Sequence, residues 1–282
     1  MTSVRLHLLR VGACRHLECL AARGGRWASV EFPALCGLIE HPTRGWLLYD
    51  TGYAEHFFTA TQRWPERLYR AALPVDLPAQ ETLATQLAGF GLSPVDIGTV
   101  IVSHYHGDHI AGLRDFPKAR FIALAADTEH FARLAGQRWR ATLGGHLPGL
   151  LPDDYFARID AADAKPRREL PGWLAPFEHG FDLLGDGSLL GVPLPGHSHG
   201  QLGLFIPDAD GRPAFLVADA CWSLPALREG RPPARLALFV NAERRRFMTT
   251  FAGLSRMAHH ETAVAVLPSH CPVAWEAYRN AR

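Results

Sequence analysis

Between residues 104 and 109 the chain reads His104-Tyr105-His106-Gly107-Asp108-His109, three imidazoles and a carboxylate within six residues. The apolar run Thr99-Val100-Ile101-Val102 leads directly into it. Imidazole nitrogens and carboxylate oxygens suit a transition metal, and a strand that ends in such a loop delivers all four side chains to one place. Three further candidates stand where other apolar runs end in turns: His197 in Leu194-Pro195-Gly196-His197-Ser198-His199-Gly200, Asp219 after Phe215-Leu216-Val217-Ala218, and His270 after Val264-Ala265-Val266-Leu267-Pro268-Ser269. Strand, ligand, loop, repeated four times, is how a sheet presents side chains along one rim. His199 competes with His197, but the Pro-Gly-His setting favours His197 and leaves His199 beside the site or facing solvent. His146, His179, His259 and His260 have no partners at ligand spacing and read as surface or helix-end residues.

The elements that must carry these residues follow from periodicity. Strands are expected at Val4 to Leu9, Trp27 to Phe32, Cys36 to Glu40 and Trp46 to Tyr49, the last ending in Asp50-Thr51-Gly52. A helix is expected across Gln80 to Phe90, with Gly91 as its stop, before the strand Thr99 to Val102. Ala119 to Ala123 reads as a strand and Thr128 to Ala135 as a helix. From about 136 to 178 the pattern dissolves into Gly, Pro and charge, which marks a lid or binding loop inserted in one domain rather than a second domain. Alternation returns at Phe181 to Leu184, Leu189 to Leu194, Leu202 to Ile206 and Phe215 to Val217. A helix at Ala242 to His259, a strand at Ala263 to Leu267 and a short helix from Val273 close the chain. Strands, a helix, strands again and a closing helix predict an α/β fold, two sheets face to face with helices outside.

Bulk properties narrow the function classes. The 282 residues are 48% hydrophobic, enough for one large core. Formal net charge is +1, and no basic stripe speaks for nucleic acid; Arg244-Arg245-Arg246 reads as a solvated helix face. The five cysteines form no CxxC pair and are odd in number, so neither a disulfide framework nor a zinc ribbon fits. Cys221 and Cys271, close in sequence to Asp219 and His270, read as buried structural thiols. No apolar stretch is long enough to span a bilayer, and Arg10, Arg15, His16 and Glu18 interrupt any leader, so a soluble cytoplasmic protein is expected.

His-x-His-x-Asp-His followed by Pro-Gly-His, a strand-end Asp and Ser-His resembles the metallo-β-lactamase superfamily, over most of the chain from Asp50 to His270. The resemblance implies a four-layer αββα sandwich with two metal ions at one edge. It implies that His104, His106 and His197 hold the first ion, Asp108, His109 and His270 the second, and that Asp219 bridges them. Asp50 matches a position that supports the site without ligating. Two such ions about 3.5 to 4 Å apart share a water, lower its pKa and aim the hydroxide at a carbonyl or phosphoryl centre. Asp108 would carry the proton to the leaving group. Zinc suits the nitrogen and oxygen donors first, with iron, manganese or cobalt as alternatives.

Within that superfamily, the Leu-Tyr-Asp-Thr-Gly and Ser-His-Tyr-His-Gly-Asp-His-Ile-Ala-Gly segments are most similar to N-acyl-homoserine lactonases. Those enzymes place a tyrosine donor three residues after the bridging aspartate, where this chain has Trp222. The expected activity is hydrolysis of a lactone or other ester of a small molecule. A thioesterase of the glyoxalase II type is the nearest rival, and a non-catalytic metal-stabilised sensor domain is the rival of another class. Trp27, Phe32, Trp139, Trp173 and above all Trp222 are candidate walls of an apolar substrate pocket.

Overall fold

In the computed structural model, which describes residues 2–235, 237–240, 242–260 and 263–281, the chain builds two sheets. The strands are β1 (Arg5–Leu17), β2 (Ser29–His41), β3 (Gly45–Tyr49), β4 (Val75–Asp76), β5 (Ile97–Ile101), β6 (Arg120–Ala123) and β7 (Ile159–Ala161), then β8 (Arg167–Glu169), β9 (His179–Asp182), β10 (Leu190–Pro193), β11 (Leu202–Ala209), β12 (Arg212–Ala218) and β13 (Ala265–Pro268). The first sheet has the order β4-β1-β2-β3-β5-β6-β7 and the second β13-β12-β11-β10-β9-β8.

The apolar runs explain the layering. Leu47 and Tyr49 of β3 and Ile101 of β5 join one buried cluster together with Val192, Leu202, Leu204 and Phe215 of the second sheet. Leu48, Val100 and Val102 join a different cluster under the outer helices. Alternate side chains leave a strand on opposite faces, so a continuous apolar run is the mark of a strand covered on both. Tyr49 ties the sheets together by donating its hydroxyl to the Leu202 carbonyl at 2.7 Å. The helix Leu83–Gly89 covers the first sheet with Leu83 and Leu87. On the second, the helix Arg244–His260 buries Phe247, Phe251, Leu254 and Met257 at helical spacing. Each such side chain contributes roughly 1.5–3 kcal/mol by leaving water. The result is the αββα sandwich.

Strand direction sets where the loops go. β3, β5, β6 and β7 run parallel. β10 and β12 both run antiparallel to β11, hence parallel to each other, and β13 is parallel to β12. The C-terminal ends of β3 and β5 therefore share one edge of the first sheet, and those of β10, β12 and β13 share one edge of the second. The two edges meet, with the Leu202 N–H donating to the Ser103 carbonyl at 2.8 Å and the Leu35 N–H to the Ser269 carbonyl at 3.0 Å.

Several boundaries differ from the sequence expectation for physical reasons. The strands expected at Trp27 to Phe32 and Cys36 to Glu40 are one strand, β2, and Trp27 lies outside it, 86% exposed. Pro33 stands opposite Ala13, next to the bulge where the β1 register shifts, a position at which a strand tolerates proline. β1 likewise runs far past Leu9, with Gly12 at φ +77° in that bulge. The helix expected from Gln80 begins at Leu83, because Thr82 is extended and caps it by accepting the Thr85 N–H. The helix expected at Thr128 to Ala135 spans Ala125–Arg133. The irregular segment 136–178 supplies one edge strand of each sheet, β7 and β8. Both are only three residues long, too short for alternation to register.

Candidate metal centre

Four loops at the shared rim, those after β5, β10, β12 and β13, bring the seven predicted ligand side chains together. Three donor groups each close within 4.8 Å: His104, His106 and His197; His104, His109 and Asp219; Asp108, His109 and His270. His104 Nε2 and His197 Nε2 lie 3.1 and 2.9 Å from His106 Nδ1. Asp219 stands between the halves, with Oδ2 3.3 Å from His197 Nε2 and Oδ1 3.3 Å from His109 Nε2. His270 Nε2 is 3.1 Å from Asp219 Oδ1 and 3.4 Å from Asp108 Oδ2.

The rear nitrogens explain why the front ones face inward. His109 Nδ1–H donates to Asp50 at 2.8 Å, His270 Nδ1–H to the Pro33 carbonyl at 2.8 Å and His106 Nε2–H to the Gly144 carbonyl at 3.2 Å. Asp50 also accepts the Ser103 N–H and hydroxyl, both at 2.7 Å, which leaves Ser103 Oγ free to accept from His104 Nδ1 at 3.0 Å. With the proton committed behind, each of these four rings turns a lone pair to the centre. Asp50 thus sits behind the cluster and does not face its middle. Among the described residues, His109 Nε2 and Asp219 Oδ1 are buried without a well-formed hydrogen bond. Buried orphan atoms are costly, and a cation between them removes the cost.

The electrostatics divide the cluster. Burial, then repulsion from His109, His106 and His197, holds the His104 imidazolium far below its ordinary range, and burial with His197 pushes His106 down to about 3. Both are therefore unprotonated donors at neutral pH. His109 and His270 go the other way. Burial opposes their charge but is outweighed, by Asp108, Asp219 and Asp50 at His109 and by Asp219 and Asp108 at His270. Asp219 is held well below the carboxylate range because His270, His109 and His197 outweigh its burial. A divalent cation would replace the protons that these carboxylates attract. The residues fit such ions in both donor type and convergence.

Local backbone supports the placement. Asp50 and Ala218 have φ of +60° and +45°, rare for residues with a Cβ, and both adjoin the cluster. Gly196 has φ +130°, and a Cβ there would strike the Phe247 backbone, so only glycine lets the Pro-Gly-His turn pass.

Other sequence candidates fall elsewhere. His199 lies outside the three donor groups and packs on His130 at a ring distance of 4.1 Å. His146, expected at the surface, is buried against His106 at 5.2 Å. Cys221 and Cys271 are buried thiols with pKa raised by burial, and Cys271 Sγ accepts the Leu224 N–H. Trp222 is half-buried and spends its indole N–H on Asp219 Oδ2 at 3.0 Å. Trp173, itself exposed, packs edge-on to the core residue Phe205, and Trp139 is exposed. Sequence reasoning missed Tyr69, whose hydroxyl donates to Asp108 Oδ1 at 3.4 Å from the helix Arg67–Ala72. Nothing in the pattern around Tyr69 marks it, since it reaches the site only through tertiary packing.

The model of the metallo-beta-lactamase superfamily matches residues 30–211, and the chain belongs to that superfamily. It is 27% identical over 282 residues to the N-acyl homoserine lactonase AttM of Azorhizobium caulinodans, covering 100% of this chain and 98% of the relative. It is 34% identical over 212 residues to the N-acyl homoserine lactonase AiiB of Agrobacterium fabrum, covering 74% of this chain and 69% of the relative. Among solved structures it is similar to an N-acyl homoserine lactone hydrolase with the product N-hexanoyl-L-homoserine at its catalytic metal centre, at TM-score 0.72, 17% identity and coverage of 100% and 98%. AidC, a dizinc quorum-quenching lactonase, matches at TM-score 0.62 and 15% identity over 96% and 88% of the two chains. At these identities the structural likeness speaks for the fold.

Proposed function

We propose that this chain is a dinuclear metal-dependent hydrolase that opens lactones of the N-acyl-homoserine lactone kind. The observation that carries it is the set of seven inward-facing donors, with four imidazoles fixed from behind by Asp50, Ser103, Pro33 and Gly144. His104, His106 and His197 would hold one ion, Asp108, His109 and His270 the other, with Asp219 shared; zinc is the first choice for these donors. Bound there, the ions would supply Lewis acidity and an acidified water.

The remaining chemistry belongs to side chains. Asp108 accepts the proton that the attacking water loses and returns it to the ring oxygen as the lactone C–O bond breaks, giving a hydroxy acid. Tyr69 holds Asp108 in position by its hydroxyl. Trp222 steadies Asp219 through its N–H and offers the substrate only its indole face. The AttM and AiiB names support a lactone as substrate. Five unpaired cysteines suit a reducing compartment such as the cytoplasm.

Zinc-loaded protein is expected to open N-hexanoyl homoserine lactone, with His106→Ala lowering kcat/KM by about a thousandfold while the circular dichroism stays unchanged. Faster turnover of thioesters than of lactones would move the assignment to a thioesterase. Full metal loading with no turnover of lactones, esters, thioesters or phosphodiesters would make the chain a sensor.

A further inference from the structure

The side of the cluster formed by His106 and His197 opens on a cavity of about 240 Å³ that the proposed reaction does not use. Most of its lining residues carry polar groups, Asp127, His130, Arg140, His146, Ser198 and His199 among them, with Leu134 its one large aliphatic residue. Imidazoles run outward from His106, with His146 at 5.2 Å, His130 5.6 Å beyond it and His199 4.1 Å beyond that. His146 is 8% exposed, and its Nδ1 has no hydrogen-bond partner among the described residues. No bond from either ring nitrogen of His130 is found among them.

Arg140 supplies the charge. Two nearby arginines are paired, Arg138 with Glu66 at 2.7 Å and Arg133 with Glu129 at 3.9 Å. Arg140 has no carboxylate within 4.0 Å among the described residues, only Gln137 Oε1 at 3.4 Å. The acidic groups near the cavity are partly engaged, and Asp127 Oδ2 is buried without a hydrogen-bond partner among the described residues. Asp127 accepts the Gly200 N–H at 3.3 Å, and Glu243 accepts from Arg246 at 3.0 Å while lying 3.5 Å from His199. An alkyl chain placed here would strip water from donors and give nothing back. A carboxylate would accept from them.

We propose that this cavity is a subsite for a carboxylate at the far end of the substrate's acyl chain, with Arg140 as its counter-ion and the N–H groups of His130 and His146 as directed donors. The identity of the ligand as an acyl lactone rests on the hydrolase reading; the subsite adds the class of acyl group.

The test compares N-glutaryl homoserine lactone with its primary-amide analogue, equal in size and without the charge, on the zinc-loaded protein. Wild type is expected to favour the carboxylate about tenfold in kcat/KM, with the ratio shrinking as NaCl rises. Arg140→Gln is expected to bring the ratio to within twofold of unity by slowing only the carboxylate substrate, and Arg140→Lys to keep most of the preference. Equal kcat/KM for the two substrates in wild type, or equal losses on both in Arg140→Gln, would overturn the proposal. Calorimetric titration of the zinc-loaded proteins with glutarate and with butyrate reads the subsite without turnover. Arg140→Gln should weaken glutarate alone. If glutarate binding depends on Arg140 and no lactone is opened, the subsite stands and the hydrolase reading fails. If lactones open but glutarate ignores Arg140, the reverse holds.

Discussion

Histidine and aspartate meet at both ends of this sandwich, and the two clusters behave differently. At the rim, His106 Nδ1 faces His104 and His197 nitrogens at about 3 Å, and Asp219 Oδ1 and His109 Nε2 lack well-formed hydrogen bonds among the described residues. At the opposite edge, His41 ends β2 at the turn into β3. Its Nδ1 accepts the N–H groups of Thr43 and Arg44 at 3.2 and 3.1 Å, which fixes the proton on Nε2. That proton goes to Asp186 at 2.9 Å, and Ser188 donates its hydroxyl to the same carboxylate at 2.6 Å. His41, Asp186 and Ser188 are the residue types of a nucleophilic triad, yet Nδ1 is filled by backbone donors and Nε2 is a donor itself, so no base faces the serine. The difference lies in which lone pairs are left over. A complete donor and acceptor set makes a staple, and a surplus of inward lone pairs makes a ligand cage.

The strongest way to break this contrast is to remove one carboxylate or imidazole from each cluster. Asp219→Ala should cut bound metal from two ions to fewer than one and lower kcat/KM by at least about a thousandfold, roughly 4 kcal/mol, as metal analysis and lactone assay would show. His41→Ala should leave metal content and kcat within twofold and destabilise the fold by about 2–4 kcal/mol, because Asp186 loses a donor and two backbone N–H groups lose their acceptor. If His41→Ala released metal, or Asp219→Ala kept it, the distinction between staple and cage would be lost.

A smaller effect sharpens the comparison within the rim. Tyr69→Phe removes only the hydroxyl that reaches Asp108 from the helix Arg67–Ala72. If that contact positions the proton carrier, kcat should fall about fivefold with KM, metal content and melting temperature unchanged. A fall in stability at constant kcat would make Tyr69 a packing residue.

How much of this was legible in the sequence follows from the range of the forces involved. The convergence of the proposed ligand residues could be read because each follows the end of a strand, and strand ends are local features: Thr99 to Val102 before His104, Phe215 to Ala218 before Asp219. The sandwich could be read because apolar runs in β3 and β5 require cover on both faces. β7 and β8 could not, since three-residue edge strands are held by their neighbours' ladders and carry no pattern of their own. The same holds for His146 and Tyr69. They reach His106 and Asp108 across 40 and 39 positions, through packing that no local spacing encodes. Trp222 was legible as a residue near the site but not in its role, because its N–H is turned to Asp219 by the fold around Phe247.

The buried carboxylate of Asp127 lies between the two cases. Asp127 is 2% exposed, accepts the Gly200 N–H at 3.3 Å and has no cation within 4.0 Å among the described residues. It has neither the complete set around Asp186 nor the surplus of positive neighbours around Asp219. Burial accordingly raises its pKa from 3.8 to about 6. Between those values the folded protein keeps a proton that the unfolded chain has lost, so stability falls as pH rises, and above about pH 6 the buried charge costs its full amount, at most about 3 kcal/mol. Asp127→Asn keeps the acceptor oxygen and removes the charge. With chelator present throughout, so that metal loss at low pH does not enter, its melting temperature should match wild type near pH 4 and exceed it by a few degrees at pH 7.5. Parallel melting curves across that range would mean that Asp127 is ionised at little cost, and that one N–H is enough to complete a buried carboxylate in this fold.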